Sequence, residues 1–243
     1  MLAVLSTGPV GFSDAPGETD ATLIMRTCDA SGGLLQPSKP LTAVDSTHDV
    51  THGAAPSGFA LVTHTAVGGA VALYMLVSHQ MTASFTVRGL DLWPALSPVS
   101  GAFMTTSWAA LQSCAAGSAC NTSAIAAPAQ GSAPLFTLPA LAPGVDKFTP
   151  TLTLVAPVCT ASRVALFGET AKFASISIQR FTALACTPAG IAMSLTGPPG
   201  EALRLAWWTG SAMAFGDALL PASGSGSAQL ACEARADGTL VCA

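Results

Sequence analysis

After residue 58, short apolar runs alternate with turns rich in Gly or Pro, and in the clearest runs, over 173–181, 191–196 and 203–207, hydrophobic and polar residues alternate with period two. This pattern is typical of half-buried antiparallel strands. Before a final hairpin, the predicted strands cover residues 59–65, 70–78, 83–88, 102–108, 151–155, 163–167, 173–181, 191–195 and 203–207. A succession of this kind predicts an antiparallel β-sandwich.

The start of the chain has a different pattern. Residues 2–5 are apolar without alternation, which is typical of a strand buried on both faces in a parallel sheet. The strand leads through a Pro-Gly turn to a helix predicted over 21–28, with Thr19 or Asp20 as its N-cap. Such a strand needs parallel neighbours that the β-rich remainder does not supply. We therefore expect one βα unit of an incomplete (β/α) barrel, in a chain that begins inside a larger protein.

The predicted fold is therefore mainly β, with two parts. Residues 1–45 are the barrel remnant, and residues 54–243 are an antiparallel β-sandwich domain. Within that domain, residues 109–134 are rich in Ala, Ser and Gly. Because few of these side chains can contribute to a core, the stretch is predicted to be a low-complexity surface insertion.

Composition and charge limit the kinds of partner that the chain is expected to bind. Only 9% of the 243 residues are charged, the formal net charge is −4, and the nine basic residues are scattered. Binding to nucleic acid needs a basic stripe, so this partner is not expected. The longest apolar stretch, 66–77, is interrupted by two glycines and is shorter than the ~20 residues of a membrane-spanning helix. A membrane partner is not expected either.

Two pairs of the seven cysteines are close in sequence. Cys232 and Cys242 flank a loop in which Gly238 suits a left-handed position, which would place the two cysteines opposite one another in a hairpin. Cys114 and Cys120 bracket a short loop and are a second candidate pair. The odd number of cysteines leaves at least one thiol outside internal pairing.

Cysteine use also bears on localisation. The sequence Asn121-Thr122-Ser123 beside the second pair is an N-glycosylation sequon, which has meaning in a secreted protein. Together with the cysteines it favours a secretory or extracellular setting. No signal-peptide pattern follows Met1, so any such signal is expected upstream of this residue.

A resemblance to a known family rests on several short motifs. In the first block they are Gly8-Pro9-Val10, Ser13-Asp14, Gly17, Asp20, Leu23-Ile24, Leu35-Gln36-Pro37, Pro40 and Asp45. This block resembles the last strand and helix of the catalytic barrel in the raffinose synthase and α-galactosidase group of glycoside hydrolases. Residues 166–173 and 197–201 are similar to the β domain that follows such barrels.

The resemblance implies the C-terminal portion of a glycoside hydrolase that acts on α-galactoside-type oligosaccharides. Its partners would be a carbohydrate and the missing N-terminal barrel of the same protein. Such enzymes use two carboxylates about 5–5.5 Å apart when they retain configuration. In the resembled family both carboxylates lie on earlier barrel strands, so the isolated chain is expected to be inactive, without cofactor or metal.

Ser13 and Asp14 are the candidate substrate-binding residues. They would lie at the carboxyl end of a barrel strand, where such enzymes place functional groups. Alternatively, Asp14 only caps the turn before Pro16. The alternative function is a carbohydrate-binding or interaction β-sandwich module without catalysis.

Other polar constellations have structural explanations. His48 and His52, with Asp49 between them, offer metal ligands only if they share a helix, and the flanking residues favour a solvated linker. Glu169 and Glu201 follow glycines in turns, and pairing with Lys172 or Arg204 is favoured over catalysis. The tryptophans are candidates for sugar stacking or for core packing, the commoner outcome. They are Trp93, Trp108, Trp207 and Trp208.

Overall fold

The computed structural model describes residues 1–8, 15, 17–44, 58–92, 101–120, 122–125, 134–142, 149–222 and 226–243. The α-helices within these residues are α1 (Leu2–Leu5), α2 (Ala21–Met25) and α3 (Trp108–Ser113), and a 3₁₀ helix covers Gly89–Asp91. The strands are β1 (Thr42–Ala43), β2 (Phe59–Val67), β3 (Ala70–His79), β4 (Phe85–Arg88), β5 (Phe103–Ser107), β6 (Ser123–Ile125), β7 (Pro134–Leu138), β8 (Thr151–Pro157), β9 (Ala165–Glu169), β10 (Phe181–Cys186), β11 (Gly190–Gly197), β12 (Ala202–Trp208), β13 (Met213–Leu219), β14 (Ala228–Arg235) and β15 (Leu240–Cys242).

The prediction of a mainly β, antiparallel fold is confirmed. The largest sheet has the strand order β1-β2-β3-β8-β5-β6. Two further sheets have the orders β10-β11-β14-β15 and β13-β12-β9, and β4 pairs with β7. All of these ladders are antiparallel, and no barrel is formed by the described residues.

The six-stranded sheet is covered on both faces. Leu73 and Met75 of β3 lie in a large core that includes side chains of β11, β12 and β14. Tyr74 and Leu76 lie in a second, smaller core, which the paired strands β4 and β7 cover. Because successive side chains of a strand point to opposite faces, one strand supplies both cores. The result is a layered arrangement of antiparallel sheets.

The prediction of a strand over residues 2–5 is wrong. This run forms the short helix α1, in which the Leu5 N–H donates to the Met1 carbonyl over 3.2 Å. Val4 and Leu5 are buried in the large core. A turn of helix satisfies its own backbone and can bury apolar side chains without parallel neighbours, which explains why an apolar run alone does not require a sheet. No parallel strand pair of a βα unit is seen in the described residues.

The helix predicted after this run is confirmed but is shorter. It covers Ala21–Met25, and the Asp20 carboxylate accepts hydrogen bonds from the Thr22 and Leu23 N–H groups, as expected of the N-cap. A turn over residues 29–33 follows, Cys28 pairs with Leu34 in an isolated bridge, and β1 joins the edge of β2. The described part of the first 44 residues therefore packs on the β body and shares its core.

The strand predicted over 173–181 is absent. Phe173, Ala174, Ser175 and Ile176 are all buried, although their sequence alternates between apolar and polar. Their backbone bonds go to separate segments instead of one ladder: the Ser175 carbonyl accepts from Glu169 N–H over 2.7 Å. The period-two pattern therefore predicted the wrong structure for this segment, because its serine side chains are buried within the protein and do not face solvent.

Part of the predicted surface insertion over 109–134 is folded. Helix α3 buries Leu111, and β6 pairs with β5 at the edge of the large sheet. Residues 126–133 of the insertion lie outside the described residues. Strand β13 was not predicted, because Gly216 and Asp217 interrupt its apolar pattern.

Three disulfides are present in the structure. Cys232 and Cys242 face each other in the β14–β15 register, and Gly238 has a φ of 87°, so both features of the predicted hairpin are confirmed. The candidate pair Cys114–Cys120 is also bonded. The third pair, Cys159–Cys186, was not predicted, since a separation of 27 residues carries no local signal.

The pairing leaves Cys28 as the free cysteine, with 4% of its surface exposed. We expect one thiol per chain to react with a thiol reagent, and only after denaturation, because burial excludes the reagent from the folded protein. Thiol titration with and without denaturant measures this. More than one reactive thiol in the unreduced, denatured protein would contradict the pairing.

Candidate functional site

The predicted substrate-binding residues Ser13 and Asp14 lie outside the described residues, so the structure does not place them. The same holds for the His48–His52 segment and for Trp93. In the described part of the chain, no group of three or more His, Cys, Asp or Glu side chains is arranged to hold a metal ion. None of the helices described has the length and apolarity that crossing a bilayer requires.

A buried cluster of charged side chains is the most distinctive polar feature of the structure. The Arg180 guanidinium lies between two carboxylates, with Nε 2.8 Å from Glu169 Oε1 and Nη1 2.7 Å from Glu201 Oε2. Nη1 also donates to the Thr196 carbonyl over 3.0 Å. Arg180 itself has no exposed surface. We refer to Glu169, Lys172, Arg180 and Glu201 as the ionic junction.

Each member of the ionic junction is held by a different local structure. Glu169 ends β9, Glu201 follows the Gly-Pro-Pro-Gly turn before β12, and Arg180 immediately precedes β10. A Cβ at Gly197 would collide with the Arg180 guanidinium, so the glycine leaves the room that the arginine occupies. The junction therefore ties two sheets and the 173–181 segment together.

The expected partners of the two glutamates were wrong, although the expected structural role is supported. Both carboxylates pair with Arg180, which the sequence did not single out. Lys172 donates instead to the carbonyls of Met25 and Cys28, over 2.8 and 2.6 Å. The absence of the 173–181 strand explains the error, because a strand would not have turned Arg180 back toward Glu169.

Burial and charge act against each other at the ionic junction. Burial raises the pKa of Glu169, and the positive charges of Arg180 and Lys172 partly oppose this effect. For Arg180, burial lowers the pKa, but the Glu169 and Glu201 carboxylates outweigh it and raise the pKa. Two carboxylates, one guanidinium and one ammonium form a balanced set. This balance permits charges to be buried that would otherwise be costly.

The ionic junction also reaches the first block of the chain. Ala30 N–H donates to Glu201 Oε1 over 3.0 Å, and Phe173 N–H donates to the Arg26 carbonyl over 3.0 Å. The Arg26 guanidinium lies 5.2 Å from the centre of the Trp108 ring, whose centre is 5.0 Å from that of Phe173. The first block is thus held by charge, backbone bonds and stacked rings in one place.

The described tryptophans serve packing. Trp207 is fully buried, and its Nε1 donates to the Arg235 carbonyl over 2.9 Å. Trp108 stacks as described above and donates from Nε1 to the Lys172 carbonyl over 3.0 Å. Trp208 is half-buried. Core packing, the alternative to sugar stacking, therefore accounts for Trp207 and Trp108.

An open pocket lies beside the ionic junction. Its volume is about 240 Å³, and it is lined by Leu111, Gln112, Cys114, Thr170, Arg204 and Phe215. The Thr170 N–H donates to the Arg204 carbonyl over 2.9 Å, and Gln112 Nε2 donates to the Thr170 carbonyl. The pocket is therefore adjacent to Glu169 through the chain, while Glu169 itself is buried.

The arrangement does not favour hydrolysis by the described residues. The side chains of Glu169 and Glu201 are 4% and 8% exposed and are engaged by Arg180, so neither is presented to a substrate. A glycosidase pair must instead flank a bound sugar. Comparison of the sequence with protein-family models and with curated proteins gives no match.

Substitution of Arg180 tests the ionic junction. We expect Arg180→Met to lower the free energy of unfolding by about 3–5 kcal/mol, because two carboxylates remain buried without their partner. Arg204→Met is the matched control, since Arg204 lies 3.9 Å from Asp217 and both side chains are largely exposed. The control should cost less than about 1 kcal/mol. Urea unfolding measures both, and similar losses would contradict the assignment.

The pH dependence of stability tests the environment of Glu169. Because burial raises its pKa above the ordinary 4.5, the folded state holds this proton more tightly than the unfolded chain. The associated stability is present below pH 4.5 and is lost as pH rises through the raised pKa. We expect the free energy of unfolding to fall more steeply over this range in the wild type than in Glu169→Gln. Equal slopes in urea unfolding would contradict the raised pKa.

Proposed function

We propose that this chain is the C-terminal portion of a glycoside hydrolase that acts on α-galactoside-type oligosaccharides, and that it is inactive in isolation. In this proposal the catalytic carboxylates belong to a barrel upstream of the chain. The role of the described residues is to hold the end of that barrel on the β body. The observation that carries the proposal is that the first block contacts both later family-like stretches, 166–173 and 197–201, at the ionic junction.

The two later family-like stretches are far apart in sequence and meet in space. The stretch 166–173 supplies Glu169 and Lys172, and the stretch 197–201 supplies Glu201. The first block meets both through residues that lie between its motifs: Lys172 Nζ donates to the carbonyls of Met25, which ends α2, and of Cys28, and Ala30 N–H donates to Glu201. A shared ancestry with a barrel followed by a β domain explains why these particular stretches are in contact.

A buried ionic cluster suits the role of a domain junction. Buried charges contribute little net stability compared with apolar packing, but an unpaired buried charge is costly, so they penalise incorrect arrangements. At the ionic junction this penalty fixes one position of the first block on the β body. In this proposal, the upstream barrel is then held in a defined orientation relative to the β body.

The helical α1 bears on one part of the proposal. It removes the argument that an apolar run at residues 2–5 must be a barrel strand without its neighbours. Ser13 and Asp14 remain proposed substrate-binding residues on the resemblance alone. The support for the proposal is therefore the family-like motifs and the contacts between the first block and the two later stretches. An unshielded strand at residues 2–5 is not part of it.

Secretion is part of the same proposal. Three disulfides support an oxidising compartment, because structural disulfides persist in extracellular and secretory environments and are rare in the cytosol. The sequon at Asn121 is in keeping with this setting.

The second candidate function is a carbohydrate-binding or interaction module without catalysis. It is favoured by the open pocket at Gln112, Arg204 and Phe215, since a binding module needs an accessible site and no carboxylate pair. The two functions differ in whether hydrolysis appears when upstream sequence is added.

Extension of the reading frame upstream of Met1 tests the main proposal. We expect the extended sequence to encode a barrel with two strand-end carboxylates, and the extended protein to hydrolyse p-nitrophenyl α-galactoside. The matched control is the 243-residue chain, which should show no hydrolysis because the proposal places the carboxylate pair in the upstream barrel. An in-frame stop shortly upstream of Met1, or an upstream region without such carboxylates, would overturn the proposal.

A further inference from the structure

Three separate parts of the chain build the open pocket beside the ionic junction. Gln112 comes from α3, Thr170 follows β9, and Arg204 and Phe215 come from the β12–β13 hairpin. In that hairpin Arg204 is directly opposite Asp217, and Phe215 precedes Asp217 by two positions, so the three side chains share one face. Asp217 therefore lies next to Arg204, which lines the pocket.

The wall of the pocket is fixed by backbone bonds and a disulfide. Gly117 N–H donates to the Met213 carbonyl, and Met213 N–H donates to the Ser118 carbonyl, each over 2.9 Å. The Cys114–Cys120 disulfide closes the loop that makes these bonds. These bonds and the disulfide connect the loop to Met213, two residues before Phe215.

The charges at the pocket compensate each other. Arg204 Nη1 lies 3.9 Å from Asp217 Oδ1, and the two side chains are 59% and 72% exposed. The Arg204 guanidinium also lies 5.5 Å from the centre of the Phe215 ring. With a cation and an anion side by side, the site attracts neither a free anion nor a free cation strongly. This balance favours a neutral ligand.

The volume of the pocket and its mixture of polar and apolar lining residues further limit the class of ligand that it can bind. A volume of about 240 Å³ is below the roughly 300–1,000 Å³ of pockets for drug-sized ligands, so one sugar ring is a suitable size. Planar polar groups of Arg204, Asp217 and Gln112 can exchange hydrogen bonds with hydroxyl groups. Phe215, which is partly exposed, offers apolar surface to the C–H groups of a sugar. We propose that this pocket binds one unit of a neutral saccharide.

The inference rests on the second candidate function and deepens it, since it names the ligand class of the same pocket. It does not depend on an upstream barrel. Its test measures binding by the 243-residue chain, whereas the test of the proposed function measures hydrolysis by a longer protein. The two failures are therefore distinguishable.

The experiment is an NMR titration of the isotope-labelled chain with methyl α-galactoside, methyl α-glucoside and galacturonate. We expect a neutral glycoside to shift the side-chain signals of Gln112 and Arg204 at millimolar concentration. Arg204→Ala and Phe215→Ala should each weaken this binding by about tenfold, as expected for the loss of one hydrogen-bonding group or one ring contact. Circular dichroism of each variant verifies its fold.

The controls are matched by residue type. Arg88→Ala and Phe59→Ala remove an exposed arginine and a partly exposed phenylalanine from other sheets, and they should leave the affinity unchanged. Absence of shifts with both neutral glycosides would overturn the proposal. So would equal binding by the pocket variants and the controls, or tighter binding of galacturonate than of the neutral glycosides, which would indicate an anion site.

Discussion

The guanidinium of Arg180 is the group on which the arrangement of the β body most depends. It is fully buried, so it requires compensating charge and acceptors within the protein. Glu169 and Glu201 provide the charge, and the Thr196 carbonyl provides an acceptor. Since these groups come from the ends of β9 and β11 and the start of β12, the sheets cannot shift relative to one another without breaking the set.

The same cluster explains how the described part of the first 44 residues belongs to the fold. Lys172 is adjacent to the paired charges and donates to the carbonyls of Met25, which ends α2, and of Cys28, while Ala30 N–H reaches Glu201. Apolar packing acts in parallel, because Val4 and Leu5 lie in the core shared by the sheets. Charge compensation and hydrophobic burial thus converge on one arrangement, which is the basis for proposing a domain junction here.

The rigid ionic junction and the proposed binding pocket lie in two neighbouring regions of the structure. The buried carboxylates are engaged by Arg180, whereas Arg204, Asp217 and Phe215 lie on the accessible face of the next hairpin. The Thr170 backbone connects the two, because it follows Glu169 and bonds to the Arg204 carbonyl. A rigid, charged interior thereby supports an open polar surface, and rigid support is what a weakly binding saccharide site requires.

The sequence by itself determined the features that depend on neighbouring residues: strands β2 and β3, most later strands, the Asp20 cap and the Cys232–Cys242 hairpin. Period-two alternation was informative at β11, where fully and partly buried residues alternate, whereas β3 and β9 are buried on both faces and were indicated by apolar runs between turns. It failed at 173–181, where both kinds of side chain are buried, and at α1, where an apolar run is compatible with helix or strand. Only the tertiary structure decided the Cys159–Cys186 pairing, the partners of Arg180 and the pocket, because each joins residues whose proximity is created by folding.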